Sequence, residues 1–101
     1  MAQKSEVDYL NDQISILDQQ ITSFRNEKFQ HELVVEDARA AIISEDKAGA
    51  SRANAALRAQ ATNAQAAILA LDRRIEVREK MLAECIKKIE EASASLGLPN
   101  T

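Results

Sequence analysis

Apolar residues recur along this chain in alternating steps of three and four, as two ladders that fall out of phase at the midpoint. The first reads Val7, Leu10, Ile14, Leu17, Ile21, Phe24, then Val35, Ala38 and Ile42. The second reads Leu57, Ala61, Ala64, Ile68, Leu71, Ile75, Leu82, Cys85, Ile89, Ala92 and Leu96. Such spacing draws one apolar stripe along one face of a helix, the pattern of a coiled-coil seam. It constrains the architecture more tightly than it does the biochemistry.

Composition agrees with helix and with little else. Among 101 residues there are two Gly, one Pro, no Trp and three aromatic side chains. A β fold would need more turn residues than that, and Ala, Gln, Glu, Lys and Arg are good helix formers. A chain of this kind buries little area per residue by itself and calls for a partner or a second copy.

The ends of the helices can be read directly. Ser5 precedes the first apolar position and has Asp8 three residues on, the signature of an N-cap at the positive end of a helix. Gly97 and Pro99 form a stop signal, because Gly takes the left-handed conformation and Pro cannot continue the helix. At the midpoint, Gly49 can end one helix and Ser51 can cap the next. The expected organisation is a disordered N-terminus over 1–4, a first long helix over 5–46, a turn over 47–51, a second long helix over 52–96 and a tail over 97–101.

The phase slip favours a turn at the midpoint. The a positions of the first ladder fall at 7, 14, 21, 28, 35 and 42, and those of the second at 54, 61, 68, 75, 82, 89 and 96. A continuous seam would put them at 49 and 56, and ordinary stutters do not supply this shift. A hairpin restores the seam by opposing a and d positions of antiparallel helices. Ile42 then meets Leu57, Ala38 meets Ala61, Val35 meets Ala64 and Phe24 meets Ile75. Leu17 meets Leu82, Ile14 meets Cys85, and Leu10 meets Ile89. The same register brings Asp18 near Lys80, Arg25 near Asp72, Asp8 near Lys88 and Glu45 near Arg52. Each exposed pair is worth only ~0–1 kcal/mol, but together they favour this register. The predicted fold is an all-α, long antiparallel two-helix coiled-coil hairpin that associates into a larger helical bundle; a single continuous rod is the alternative.

Three layers of that register are mismatched, with Ile21 facing Arg78, Lys28 facing Leu71 and His31 facing Ile68. Long side chains in such layers snorkel toward water or fix register at some cost in stability. The predicted seam comprises Leu10, Ile14, Leu17, Phe24, Val35, Ile42, Leu57, Ile68, Leu71, Ile75, Leu82, Cys85 and Ile89.

Other apolar residues fall off the seam. Tyr9 and Ile16 share one heptad position, while Phe29, Leu33, Ala40 and Ile43 form a second stripe on the first arm. Leu69, Val77, Met81 and Ile86 lie outside the seam of the second arm. A lone hairpin leaves these side chains wet, and association into a bundle covers them, with the alanine-rich stretch from Ala48 to Ala70 permitting close helix approach. The nine large ones, Tyr9, Ile16, Phe29, Leu33, Ile43, Leu69, Val77, Met81 and Ile86, are the candidate partner interface.

Signals for chemistry are missing. One His, one Cys and no Gly-rich phosphate loop leave no catalytic or cofactor-binding constellation. His31 has no second His or Cys near it in the predicted fold, so no metal site is expected. Glu27 and His31 are four apart and the pattern is not repeated, unlike the paired motifs of di-metal bundles. The expectation is a non-enzyme without cofactor or metal. Cys85, alone and on the seam, reads as a small core hydrophobe.

Charge argues against nucleic acid. Up to Lys47 there are five basic and ten acidic residues, and from Gly49 onward eight basic and six acidic. Arg58, Arg73, Arg74 and Arg78 form a local basic cluster, but no aromatic side chain lies among them to stack a base. Membrane-surface binding would need a polar face rich in Lys and Arg, and here its sign is mixed. No secretory signal or membrane span is expected, placing the chain in the cytoplasm or within a macromolecular particle.

Length and a central turn resemble the small secreted helical-hairpin proteins marked by a Trp-x-Gly turn. This chain has no Trp and its turn reads Lys47-Ala48-Gly49-Ala50-Ser51, so no property of theirs carries over. In composition it is similar to small acidic coiled-coil proteins that serve as scaffolding or structural parts of viral particles. The functional expectation is a coiled-coil structural or assembly component acting through self-association. The alternatives are an adaptor or chaperone-like hairpin binding a helix of another protein, and, behind it, nucleic-acid binding through the Arg58 to Arg78 face.

Overall fold

The computed structural model describes residues 5–48 and 51–95, with side chains described over 5–44 and 54–94. Two helices account for them: α1 spans Glu6–Ala48 and α2 spans Ser51–Ser95. They form an all-α helical hairpin, and the continuous rod is set aside. The first helix runs two residues beyond its expected end at position 46, and the second begins at Ser51, one residue earlier than expected. Gly49, the side chain of Ser51, the Glu45–Arg52 pair, the 1–4 segment, Leu96 and the 97–101 tail lie outside the described residues.

The start of α1 follows from its capping chemistry. The Asp8 amide donates to Ser5 Oγ at 3.1 Å, and the Tyr9 amide donates to the Ser5 carbonyl at 3.0 Å. Ser5 thereby satisfies donors that the first turn would otherwise leave open. Glu6 and Asp8 add negative charge at the positive end of the helix dipole.

The chain divides into two compact units, one of Met1–Ser23 with Ile75–Thr101 and the other of Phe24–Arg74. In the first, Leu10, Leu17 and Ile21 of α1 and Ile75 of α2 are buried. Ile14, Leu82, Cys85 and Ile89 are half-buried. Arg78 Nε donates to Gln20 Oε1 at 3.0 Å, one residue from Ile21, its expected opposite. The mismatch expected there is resolved by turning the guanidinium aside while Ile21 stays dry. Lys80 pairs with Glu76 one turn away at 3.3 Å on its own helix, rather than with Asp18.

In the second unit, Val35, Ala38, Ala61, Ala64 and Leu71 are buried, together with one polar side chain, Asn54. Lys28 Nζ lies 2.8 Å from Asp72 Oδ1, and the Arg74 guanidinium sits 5.9 Å from the centre of the Phe24 ring. Moving from Phe24 to Lys28 on α1 thus means moving from Arg74 back to Asp72 on α2, which is antiparallel pairing. Each partner lies one residue from the position that the seam register assigns. Phe24, Ile42, Leu57 and Ile68, expected on the seam, are half-buried, as are Lys28 and His31. Two helices cover each other along one line only, so the flanks of that line stay open to water.

Candidate interaction surface

The surface is built from helix positions that the α1–α2 seam cannot use. At 3.6 residues per turn, a side chain one or two positions from a seam residue is rotated away from the opposite helix. Tyr9, Ile16, Phe29, Leu33, Ile43, Leu69, Val77, Met81 and Ile86 all occupy such positions, and all nine are exposed. They are the large hydrophobic side chains that the described residues leave exposed.

Within the first unit, Tyr9 and Ile16 come from α1 and Val77, Met81 and Ile86 from α2. Every charged side chain of α1 from Glu6 through Asp18 is acidic, whereas α2 carries Lys80, Lys87 and Lys88 among its acids.

Within the second unit, Phe29, Leu33 and Ile43 come from α1 and Leu69 from α2. From Asn54 through Leu71 the only charged side chain is Arg58, and Ala55, Ala56, Ala59, Ala66 and Ala70 are exposed. A shallow, open groove lies in this unit, lined by Glu32, Val35, Glu36, Arg39, Gln65 and Ile68. Its apolar floor is Val35 and Ile68; its walls are charged or amide side chains.

The basic cluster is partly committed within the chain. Arg74 lies over Phe24, and Arg78 donates to Gln20. Phe24 comes from the other helix, so an aromatic ring does lie beside Arg74.

Among the described residues, Lys28 is the side chain with a perturbed titration. Its hydrogen bond to Asp72, reinforced by the carboxylate's charge, raises the ammonium's pKa above the ordinary lysine value. The group is held as a cation by a structural partner. Cys85 is a free, half-buried thiol. Among the described residues, no group of three or more His, Cys, Asp or Glu side chains is arranged to hold a metal ion. No described helix is long and apolar enough to cross a membrane.

Asn54 is the residue that sequence reasoning passed over. It occupies an a position of the second ladder and is 3% exposed. The signal was present, since a polar residue at an a position marks a seam that specifies register at some cost in stability. With the chain's geometry established, comparison with known proteins finds no matching family model, curated protein or solved structure.

Proposed function

We propose that the chain is a non-enzymatic structural or assembly component, a coiled-coil hairpin that associates with copies of itself into a larger helical bundle. It acts in the cytoplasm or within a macromolecular particle. The observation that carries this reading is the set of nine large apolar side chains left exposed on a hairpin with no fully enclosed large side chain among its described residues. Large apolar side chains left exposed on both helices support a contact with a partner, and bundles of helices are the usual way to cover them. The exposed alanines of α2 support the reading, since small side chains let another helix approach closely.

The test is Leu33→Asp, measured by sedimentation equilibrium together with circular dichroism. Leu33 is exposed and off the α1–α2 seam, so the oligomer is expected to dissociate while helicity is kept. An unaltered chain that stays monomeric at high micromolar concentration would overturn self-association.

A second reading, an adaptor or chaperone-like hairpin that binds a helix of a different protein, is favoured by the open groove over Val35 and Ile68. It requires a monomer that takes up one foreign helix. Nucleic-acid binding through the arginine face ranks behind both and would show as salt-sensitive binding to DNA.

A further inference from the structure

One helix face in the second unit is complementary to itself. Phe29, Leu33, Ala40 and Ile43 of α1 are all exposed. At 100° per residue they fall within an arc of about 80°. Glu36 stands in the middle of this stripe. Phe29 and Ile43 lie seven residues on either side of it, and Leu33 and Ala40 lie three and four residues away. Reversing the direction of the helix about Glu36 therefore maps Phe29 onto Ile43 and brings Leu33 to within one residue of Ala40. The charges obey the same operation: Glu32 and Arg39 lie on one edge of the stripe and exchange places, within one residue, when the helix is reversed. Seven residues apart on one helix, they are separated by about 10 Å of rise, too far to pair with each other. Both line the open groove, where their charged ends can be reached from outside.

We propose that this α1 stripe packs against the same stripe of a second copy, antiparallel about a two-fold axis at Glu36, with Glu32 of each copy paired to Arg39 of the other. The proposal rests on the self-association reading above and specifies its surface. A two-fold contact is isologous, so a patch that uses it must be its own complement. Here Phe29 meets Ile43 of the second copy, and Leu33 meets Ala40, a large side chain over a small one. A foreign helix would place no such requirement on the spacing of the four residues or on the sign of the two flanking charges. Glu36 departs from the complementarity, because at the axis it faces its own symmetry mate. That repulsion weakens the dimer and provides an independent handle on the geometry.

The experiment is a charge exchange in the full chain, read by sedimentation equilibrium, with circular dichroism to follow helicity. Glu32→Arg places two arginines opposite each other at each end of the contact, and Arg39→Glu places two glutamates there. Each is expected to weaken association by about tenfold or more. The double variant Glu32→Arg/Arg39→Glu restores opposite charges and is expected to return within about threefold of the unaltered chain. Glu36→Gln removes the repulsion at the axis and is expected to tighten the dimer. Glu32, Glu36 and Arg39 are all exposed, so helicity should hold. A double variant no tighter than the weaker single, or a Glu36→Gln chain no tighter than the unaltered one, would overturn the two-fold arrangement. If the unaltered chain associates and none of the variants changes it, self-association stands and this surface is wrong. If the unaltered chain never associates, the underlying reading itself has failed.

Discussion

The Lys28 ammonium reaches the Asp72 carboxylate at 2.8 Å, joining α1 to α2 within one unit of the hairpin. Lys28 occupies an a position, where the seam would prefer an apolar side chain. Its long stem lets the charge leave that position for a partner on the edge of the other helix. Both side chains keep substantial contact with water, so the pair contributes modestly to stability and more to choosing which residues lie opposite.

A pH dependence follows from that pair. The folded-state pKa of Lys28 is raised above its unfolded value, so the stabilisation is fully present below about pH 10.4, the ordinary lysine pKa. It is lost as pH rises through the raised folded value. Urea denaturation of the unaltered chain and of Asp72→Asn should differ at pH 7, and the two midpoints should converge at strongly alkaline pH. A gap that persisted unchanged after Lys28 had lost its proton would show that the pair is not its source.

Two leucines on α2 separate seam from surface. Leu71 is 3% exposed and Leu69 is 60% exposed. Leu71→Ala should destabilise the chain by about 2–5 kcal/mol, because it empties a packed position. Leu69→Ala should change the stability of the monomer by no more than about 0.5 kcal/mol. Chemical denaturation at a concentration low enough to keep the chain monomeric measures both. Similar costs would mean that the two faces are misassigned.

The N-cap of α1 has its own test. Ser5→Ala removes the acceptor for the Asp8 amide and should cost about 1 kcal/mol, whereas Ser5→Gly should cost only a few tenths. Amide hydrogen exchange should quicken at Asp8 in the alanine variant and stay slow in the middle of the helix. An unchanged rate at Asp8 would show that the hydroxyl is not its acceptor.

Chain direction and register in the first unit can be tested with the thiol already present. The register places Cys85 opposite Ile14, and both are half-buried. Ile14→Cys should form an internal disulfide with Cys85 on mild oxidation, because a facing seam pair can approach the Cα separation of about 4.4–6.8 Å that the bond needs. Non-reducing electrophoresis should give a faster-migrating monomer. A covalent dimer without the internal bond would show that positions 14 and 85 do not face each other.

Much of this molecule was legible in the order of its residues. The apolar period of three and four specifies a helix and the face it buries, since each residue turns the helix by a constant angle. For that reason the nine large apolar side chains placed off the seam are all exposed, and Ser5 caps the helix where its spacing from Asp8 said it would. The break in phase between the ladders also pointed to a hairpin, because only reversal of the chain lets both stripes face each other.

Tertiary structure alone decided which positions of the seam become dry and which polar side chains meet. Leu10, Leu17, Val35, Leu71 and Ile75 are buried, while Ile14, Phe24, Ile42, Leu57, Ile68, Leu82, Cys85 and Ile89 stay half-buried in the same repeat. The heptad assigns a direction to each side chain, but exclusion of water depends on the size of the neighbours on the opposite helix and on its flanks. Lys28 reaches Asp72 and Arg78 reaches Gln20 for a related reason: a long side chain has several residues within range, and the choice among them is made by three-dimensional packing.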